Sequence, residues 1–439
     1  MKHSLRTLSL TILAAATLLP ASAALPQPTV AQMGGNNYAY PHLASAPTQT
    51  PPPAGYKPFH IEHYGRHGSR YHIGDWHYDY PVNALAKADE AGVLTPLGKE
   101  LLDSARVYKA QAFRRDGELS DIGALQHQTI GRRIGTNFPE IFETPGTHLD
   151  AKSTTVRRCI LSMLNEVKEL QGLYPHLNVT TDCSEADMYY MNACWGDTAI
   201  VARREAAKKT TLKDFKSRYD NDGALYLPKI ISDADYARDS VDAPQLASAL
   251  IQLLQMTQNH SNQDGLGLMQ KVFTYDEIRD EWMKHRASWF LDAGNTPMTG
   301  GDASLEHAWL LNNFIESADT AVTSAKTSAN LRFGHDTIVL PLAILMQLGN
   351  HHASYDTLEA LDGNWTEYDI IPMAGNVQMV FFRPEGSTSP DDVLVKVMLN
   401  EQEMSLPVAS VSGPYVKWND LRAYYKNIVD PYISTHNHK

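Results

Sequence analysis

The spacing of apolar residues predicts a chain in which strands and helices alternate. Apolar positions recur at helical spacing (i, i+3, i+4 and i+7) in three segments of the first half: 95–113, 119–138 and 155–173. The first of these opens on Thr95-Pro96, a capping residue followed by proline at the first helical position. FHIEHYG at 59–65 and THLDAKS at 147–153 have the character of strands instead. This alternation predicts an α/β fold with helices on the faces of a sheet.

The pattern changes between residues 187 and 328, where helical spacing continues without a strand pattern. Strand, loop and helix return in LRFGHDTIVLPLAILMQLG. The runs NVQMVFFRP and VLVKVMLNE, rich in Val and Phe, predict two buried strands, and WNDLRAYYKNIV predicts a closing helix. We therefore predict a three-layer α/β sandwich built from residues 58–186 and 329–439, with residues 187–328 inserted as an α-helical cap.

The N-terminus has the three parts of a secretory signal peptide. A cationic stretch, MKHSLR, precedes about a dozen apolar residues, and Ala21-Ser22-Ala23 offers a cleavage site. The apolar run is shorter than the ~20 residues that a membrane-spanning helix needs. Residues 24–57 are rich in Pro, Ala, Gly and polar residues, which predicts a flexible leader. We expect residues 1–23 to be removed and the mature chain to be periplasmic or secreted, with no membrane span.

Charge and cysteine content narrow the class of protein. The 439 residues carry a formal net charge of −12, which argues against a nucleic-acid-binding protein. A negatively charged protein still binds anions where its positive charge is concentrated in one cleft. The three cysteines are Cys159, Cys183 and Cys194. In an exported chain, Cys183 and Cys194 form the plausible local pair, and we expect no catalytic cysteine.

The segment HIEHYGRHGSRY, at the end of the first predicted strand, holds the strongest candidate chemistry. It contains three histidines, His60, His63 and His67, and two arginines, Arg66 and Arg70. It could form a metal site, a phosphate site or an ordinary polar loop. Side chains alternate faces along a strand, so His60 points away from His63 and His67. Because the arginines would also place positive charge beside any cation, we disfavour the metal site and expect no cofactor.

The phosphate interpretation accounts for more of this segment. An imidazole nitrogen attacks phosphorus and carries the phosphoryl group as a covalent intermediate. The planar forks of Arg66 and Arg70, on either side of His67, make bidentate bonds to phosphate oxygens. Gly68 lets the backbone approach the ligand closely.

A second cluster, His335-Asp336 in FGHDTIVLPL, also follows a predicted strand. His335 is suited to holding a phosphate oxygen, and Asp336 to protonating the leaving oxygen and then retaking the proton. Open α/β sheets bind ligands at the carboxyl ends of their strands. We therefore expect both clusters to lie at one site.

Four motifs in order, RHGSRY, GELSDIGALQHQTIGRRI, STTVRRCILSM and FGHDTIVLPL, resemble the histidine phosphatase superfamily in its acid phosphatase and phytase branch. The pattern from Ser153 to Cys159 and the GHDTIVLPLAILMQL stretch resemble the multiple inositol polyphosphate phosphatases in particular. The resemblance implies the superfamily's α/β sandwich with a helical cap. It also implies that His67 is the nucleophile and that four residues bind the phosphate: Arg66, Arg70, Arg158 and His335.

Two of the site residues have to be assigned between alternatives: the phosphate-binding arginine on the predicted helix and the proton donor. Arg157 and Arg158 point about 100° apart on a helix, so only one should face the site. We assign Arg158, which directly precedes the cysteine as in the family pattern. The inositol polyphosphate phosphatases typically carry His-Ala-Glu at the second cluster, whereas this chain has His335-Asp336-Thr337. This departure places the proton donor at Asp336.

The sequence thus predicts an exported phosphomonoesterase that hydrolyses inositol polyphosphates, with a polyanionic small molecule as substrate. The alternatives are a broad-specificity acid or sugar phosphatase, a non-catalytic phosphate-binding protein, and a mutase, which export disfavours. If the segment VARREAAKKTTLK borders the cleft, four basic residues are candidates for binding further phosphates: Arg203, Arg204, Lys208 and Lys209.

Overall fold

The computed structural model describes residues 25–192, 197–260, 264–324 and 326–436. The predicted signal peptide, 1–23, lies outside these residues, and so does Cys194 of the predicted cysteine pair. Within the described ranges, no helix combines the length and the apolar character needed to cross a membrane.

The centre of the molecule is a mixed sheet, which the described residues build from nine strands. Their bounds are β1 Tyr56–Arg66, β2 His148–Ser153, β3 Asn178–Asp182, β4 Ser328–Gly334, β5 Asn376–Pro384, β6 Leu394–Leu399, β7 Gln402–Glu403, β8 Ser410–Ser412 and β9 Tyr415–Lys417. The order across the sheet is β3-β2-β4-β1-β5-β6-β9-β8, and β7 pairs with β6. β1, β2, β3 and β4 run parallel, whereas β5 pairs antiparallel to β1.

Sixteen α-helices occur in the described part of the chain. Their bounds are α1 Trp76–Glu90, α2 Pro96–Gln111, α3 Asp121–Asn137, α4 Pro139–Glu143, α5 Arg157–Leu173, α6 Met188–Met191, α7 Thr198–Ala207, α8 Lys213–Ser217, α9 Leu227–Ile230, α10 Ala234–Ser240, α11 Ala243–Met256, α12 Gly265–Val272, α13 Tyr275–Ala293, α14 Ala308–Ser324, α15 Asp336–Leu345 and α16 Trp418–Thr435. Shorter 3-10 turns join several of them.

Helices cover both faces of the sheet. On one face, Ile61 of β1 lies in a buried cluster with Ile130 of α3 and Met163 of α5. On the other face, Tyr64 of β1 shares a cluster with apolar residues of α14, α15 and α16. Neighbouring residues of β1 point to opposite faces, so one strand supplies both cores. The α/β class predicted from the sequence is confirmed, with the sheet as the middle layer.

The helices α1 and α2 belong to a third hydrophobic cluster. Leu85 of α1 and Leu101 of α2 are fully buried, and they share this cluster with Leu250 of α11 and Val272 of α12. Every described element between β3 and β4 is helical. The helical layer therefore includes two helices from the N-terminal part of the chain, which the sequence-based division assigned to the sandwich.

The N-terminal segment packs against the body of the protein, contrary to the flexible leader predicted for residues 24–57. Residues Gln32–Asn37 form a 3-10 helix. Met33 inserts into the helical cluster and Tyr40 into a sheet cluster. Two isolated apolar side chains that enter different cores leave no periodicity in the sequence, so the pattern contained no sign of this packing.

Candidate active site

The strand register brings the two motifs of the sequence together. Arg66, the last residue of β1, lies opposite Gly334, the last residue of β4. The His67 N–H donates to the Gly334 carbonyl at 2.9 Å, and the His67 and His335 rings lie 5.7 Å apart. Ser153, the end of β2, lies opposite Phe333. The parallel strands β1, β2 and β4 thus end at one edge of the sheet. The RHGSR motif begins at the end of β1, His335-Asp336 directly follows β4, and Arg158 lies at the start of α5, the helix after β2.

His67 has the tautomer and the charge that a nucleophile needs. Its Nδ1 lies 2.9 Å from the Gly68 carbonyl. A carbonyl only accepts, so Nδ1 carries the hydrogen, and the lone pair is on Nε2. Burial, reinforced by the positive charges of Arg66, Arg158 and Arg70, holds the pKa of His67 well below 6.5. This direction favours the neutral form of the ring.

Arg66 is fully buried and is held by its Nη1 atom. That atom donates to the Asn36 carbonyl and, at 2.7 Å, to the Ile371 carbonyl. The other terminal nitrogen of the guanidinium, Nη2, lies 2.8 Å from Asp336 Oδ2. Burial and the charge of Arg158 lower the pKa of Arg66, and Asp336 only partly offsets them.

Arg66, Arg70 and Arg158 concentrate positive charge at this strand edge. Arg70 donates through Nη1 to the Tyr71 carbonyl, and burial together with Arg66 lowers the pKa of Arg70 to about 10. For all three arginines, the buried Nε atom has no hydrogen-bond partner among the described residues. Buried donors on charged groups are costly unless an acceptor satisfies them, so the cluster is built for an anion.

The structure separates Arg158 from Arg157. Arg158 faces the cluster and lowers the pKa of both His67 and His335 by its charge. The Arg157 side chain is 78% exposed and lies 3.4 Å from Glu118. The two side chains leave α5 in different directions, as the helical geometry requires.

Replacing Arg158 by alanine should lower kcat/KM for a phosphomonoester by about 10²–10³-fold, because one donor to the transition-state charge is lost. Arg157→Ala is the matched control. It removes the same charge from the neighbouring, exposed position and should change kcat/KM by no more than about twofold. Steady-state kinetics of both variants measures the difference. Equal losses would mean that Arg158 acts only through the overall charge.

His335 precedes α15 and is largely buried. Its Nε2 lies 3.4 Å from Thr154 Oγ1, and the Cys159 sulfur is 3.8 Å away. Burial and Arg158 lower the pKa of His335 to about 4. A neutral His335 offers one N–H donor beside the N-terminus of α15, whose backbone N–H groups and dipole also favour an anion.

The groups around Asp336 favour its ionised form. Burial alone would raise its pKa, but Arg66, the Asn36 side chain and Arg70 outweigh burial and lower the pKa to about 2. The Asn36 Nδ2 donates to Oδ2 at 2.9 Å, and the Thr337 N–H donates to Oδ1 at 2.9 Å. Arg66 pairs with the carboxylate, which is the largest cause of the downward shift.

Three supporting residues were not identified from the sequence: Asn36, His127 and Glu166. His127 Nε2 lies 3.1 Å from the Arg66 carbonyl and its Nδ1 lies 2.9 Å from Glu166 Oε2, with all groups buried. Glu166 Oε1 is 2.9 Å from His63 Nδ1. Burial would raise the pKa of Glu166, but His63 and His127 outweigh it and lower that pKa. The ionised Glu166 therefore orients His127, which holds the Arg66 backbone.

The three histidines of the disfavoured metal interpretation do not lie together. His60 lies 2.8 Å from Glu62 and 2.7 Å from the Ser328 hydroxyl, and His63 faces Glu166. No group of three or more His, Cys, Asp or Glu residues with metal-binding geometry occurs within the described ranges. The three rings of HIEHYGRH therefore have three separate environments.

Three of the four candidate basic residues in the helical region are paired with carboxylates. Arg203 makes two 2.7 Å bonds to Asp302, and the buried Arg204 bonds Glu306 at 2.7 Å. Lys208 contacts Asp292. These partners reduce the positive charge available to further phosphates of a substrate. Lys209, the fourth candidate, is exposed.

Comparison with known proteins matches this chain to phosphatases. The profile of the histidine phosphatase superfamily (branch 2) matches residues 66–400. Multiple inositol polyphosphate phosphatase 1 of Gallus gallus is 22% identical over 477 residues, covering 94% of each chain.

Two solved structures share the fold. The apo multiple inositol polyphosphate phosphatase of Bifidobacterium longum superposes with a TM-score of 0.72 at 17% identity, covering 90% of this chain and 97% of the other. The phytase of D. castellii superposes with a TM-score of 0.67 at 13% identity, covering 97% and 95%.

Proposed function

Since this chain belongs to the histidine phosphatase superfamily (branch 2) and is a phosphoric monoester hydrolase, we propose that it hydrolyses inositol polyphosphates through a covalent phosphohistidine on His67. The observation that carries the proposal is a cluster of three arginines around one histidine and one carboxyl group, in which the buried Nε atom of each arginine has no hydrogen-bond partner among the described residues. A dianionic phosphoryl group suits such a set of guanidinium forks in charge and in geometry.

In the first step, His67 Nε2 attacks phosphorus and the bond to the leaving oxygen breaks. Asp336 gives its proton to that oxygen, so the product leaves as a neutral hydroxyl group. Arg66, Arg70 and Arg158 neutralise the equatorial oxygens of the transferring group. The Gly68 carbonyl, bonded to Nδ1–H, stabilises the positive charge that the phosphorylated ring acquires.

Asp336 must gain a proton before it can donate one. A phosphate bound to Arg66 draws Nη2 away from the carboxylate and adds negative charge beside it, and both effects raise the pKa of Asp336. Proton uptake is then coupled to substrate binding and is easiest at acidic pH. The arginines that bind the phosphate also lower the pKa of His67, together with burial, and this direction favours the neutral ring that acts as nucleophile.

In the second step, water attacks the phosphorus of the phosphohistidine. The Asp336 carboxylate accepts a proton from that water, the P–N bond breaks, and inorganic phosphate leaves. Nε2 recovers its lone pair and Asp336 its proton. A phosphate-binding protein without turnover would need the arginines alone, so the placement of His67 and Asp336 favours a hydrolase.

The substrate class is supported by the relatives, which are named inositol polyphosphate phosphatases and phytases. One observation favours the alternative of a broader acid or sugar phosphatase. Arg203, Arg204 and Lys208 are engaged with carboxylates, whereas a polyanionic ring would need cations outside the central phosphate site. We also propose export, on the signal-peptide pattern of residues 1–23.

Phosphate release from a panel of substrates tests the proposal. We expect hydrolysis of phytate, sugar phosphates and an aryl phosphate to be fastest below neutral pH, with a kcat/KM for phytate at least about tenfold above that for the sugar phosphates, equivalent to ~1.4 kcal/mol. A chelator should leave each rate unchanged, since arginines neutralise the charge. Equal rates on phytate and sugar phosphates would establish the broader phosphatase. Restoration of a chelated enzyme by zinc or magnesium would contradict the metal-independent mechanism.

A further inference from the structure

The N-terminal segment, residues 25–42, reaches the site although the superfamily profile begins only at residue 66. Its 3-10 helix, Gln32–Asn37, places Asn36 between Arg66 and Asp336. Asn36 and Asp336 are 300 positions apart in the chain. This segment therefore adds to the site a residue that the profile does not cover.

Asn36 makes two contacts with the central ion pair. Its backbone carbonyl accepts from Arg66 Nη1, and its side-chain Nδ2 donates to Asp336 Oδ2 at 2.9 Å. Arg66 Nη2 lies 2.8 Å from the same carboxylate oxygen. One residue thus holds the guanidinium through its backbone and the carboxylate through its side chain.

The segment is anchored directly after Asn36. The Asn259 Nδ2 donates to the Asn37 carbonyl at 2.7 Å, and the Ala39 N–H donates to Gln258 Oε1 at 3.0 Å. The Met373 N–H donates to the Tyr38 carbonyl at 2.8 Å. Bonds from two other parts of the chain therefore fix the position of the Asn36 amide.

We propose that Asn36 is a positioning residue that controls how tightly Asp336 holds its proton during leaving-group protonation. This inference rests on the proposed function. When the phosphate of a substrate engages Arg66 Nη2, the Asn36 amide remains as the side-chain donor on Asp336 Oδ2. It orients the carboxyl group and stabilises its ionised form, so that the proton is released to the leaving oxygen.

Several charged or titratable groups besides Asn36 act on Asp336. They are Arg66 of β1, Arg70 of the following loop, His335 before α15, Tyr64 of β1 and Cys159 of α5. The arginines and His335 favour the carboxylate, whereas Tyr64 and Cys159 are themselves held neutral, since burial raises the pKa of each. Asn36, by contrast, is an uncharged side-chain donor to Asp336. Its removal therefore changes the proton affinity of Asp336 without changing the net charge of the site.

The test is the pH dependence of kcat on a sugar phosphate or phytate. Asn36→Leu keeps the approximate shape without a donor, and Asn36→Ala is a second variant in case leucine disturbs folding. Loss of a hydrogen bond to the ionised form raises the pKa of Asp336. The fall of kcat at high pH should therefore occur about one pH unit higher in both variants than in the wild type.

The matched control is Asn37→Ala, next in the segment. Asn37 anchors the segment through its backbone carbonyl, and its Oδ1 has no hydrogen-bond partner among the described residues. The control should keep the wild-type pH profile. The rate on an aryl phosphate with an acidic phenol, which needs little protonation, should fall less in the two Asn36 variants than the rate on a sugar phosphate or phytate.

The inference would be overturned if kcat fell at the same pH in both Asn36 variants as in the wild type. It would also be overturned if kcat fell equally on the aryl phosphate and on the sugar phosphate or phytate, with no change in the pH profile. Failure of the proposed function gives a different result. In that case the wild-type enzyme would lack a high-pH limb that depends on Asp336, and Asp336→Asn would leave the profile unchanged.

Discussion

Replacing His67 by alanine should abolish turnover, with kcat lower by about 10⁴-fold or more. His67 Nε2 is the nucleophile in the proposed mechanism. The ring of His335, the other histidine at the site, has its centre 5.7 Å from that of His67, so it does not occupy the position of the nucleophile. The measurement is phosphate release under saturating substrate. Acid-labile labelled phosphohistidine should also be trapped when the wild-type enzyme is quenched during turnover, and should be absent from the variant.

The matched control is His176→Ala. His176 bonds the Phe142 carbonyl at 3.0 Å, next to α4 and away from the strand edge that carries the site. This variant should keep wild-type kinetics and should still form the labelled intermediate. A His67→Ala enzyme that folds, as judged by circular dichroism, and retains normal turnover would falsify the phosphohistidine mechanism.

Asp336→Asn should have the second-largest effect, and its size should depend on the leaving group. Asparagine cannot donate a proton, so hydrolysis of inositol or sugar phosphates should slow by about 10²–10⁴-fold. An aryl phosphate releases a more acidic phenol and should lose considerably less. The ratio of the two losses is the diagnostic quantity. Equal losses would exclude Asp336 as the leaving-group acid.

The pH dependence adds an independent check on Asp336. In the free protein its pKa is held at about 2, since Arg66, Asn36 and Arg70 outweigh burial. Bound phosphate must raise that pKa for Asp336 to act as an acid. We therefore expect kcat on poor leaving groups to fall as pH rises and Asp336 in the complex deprotonates. In Asp336→Asn this descending limb should disappear. A limb that persists in the variant would report another titrating group.

Any fall in kcat at low pH should not come from protonation of the nucleophile, His67. Burial and the surrounding arginines lower the pKa of His67, and this direction favours the neutral, nucleophilic ring in acid. The substrate panel measured at several pH values covers this range.

Local pattern was enough for several central elements of the fold. The run NVQMVFFRP was predicted as a strand, and β5 spans the same residues, Asn376–Pro384. The helix predicted at 155–173 is α5, Arg157–Leu173. These elements have a strong apolar period because they face a core over their whole length.

The elements that were missed lack such a period. β3 is an edge strand with the sequence NVTTD, and its side chains are mostly exposed, so no apolar alternation marks it. α1 contains Pro81 and packs on the helical region beside α11 instead of the sheet. The N-terminal segment contributes single apolar side chains to two cores. In each case the stabilising contacts are distant in sequence, and a local pattern does not contain them.

The sequence by itself determined the chemistry at the strand ends: a histidine flanked by arginines, and a histidine followed by an aspartate. Side-chain type and strand alternation are local properties, so they can be read from consecutive residues. Only the tertiary structure decided that Asn36 bonds Asp336, that Glu166 orients His127 behind Arg66, and that Arg203 is paired with Asp302. These contacts join parts of the chain 39 to 300 positions apart. Their geometry depends on how helices pack on the sheet, which fixes the charge and proton affinity of each group.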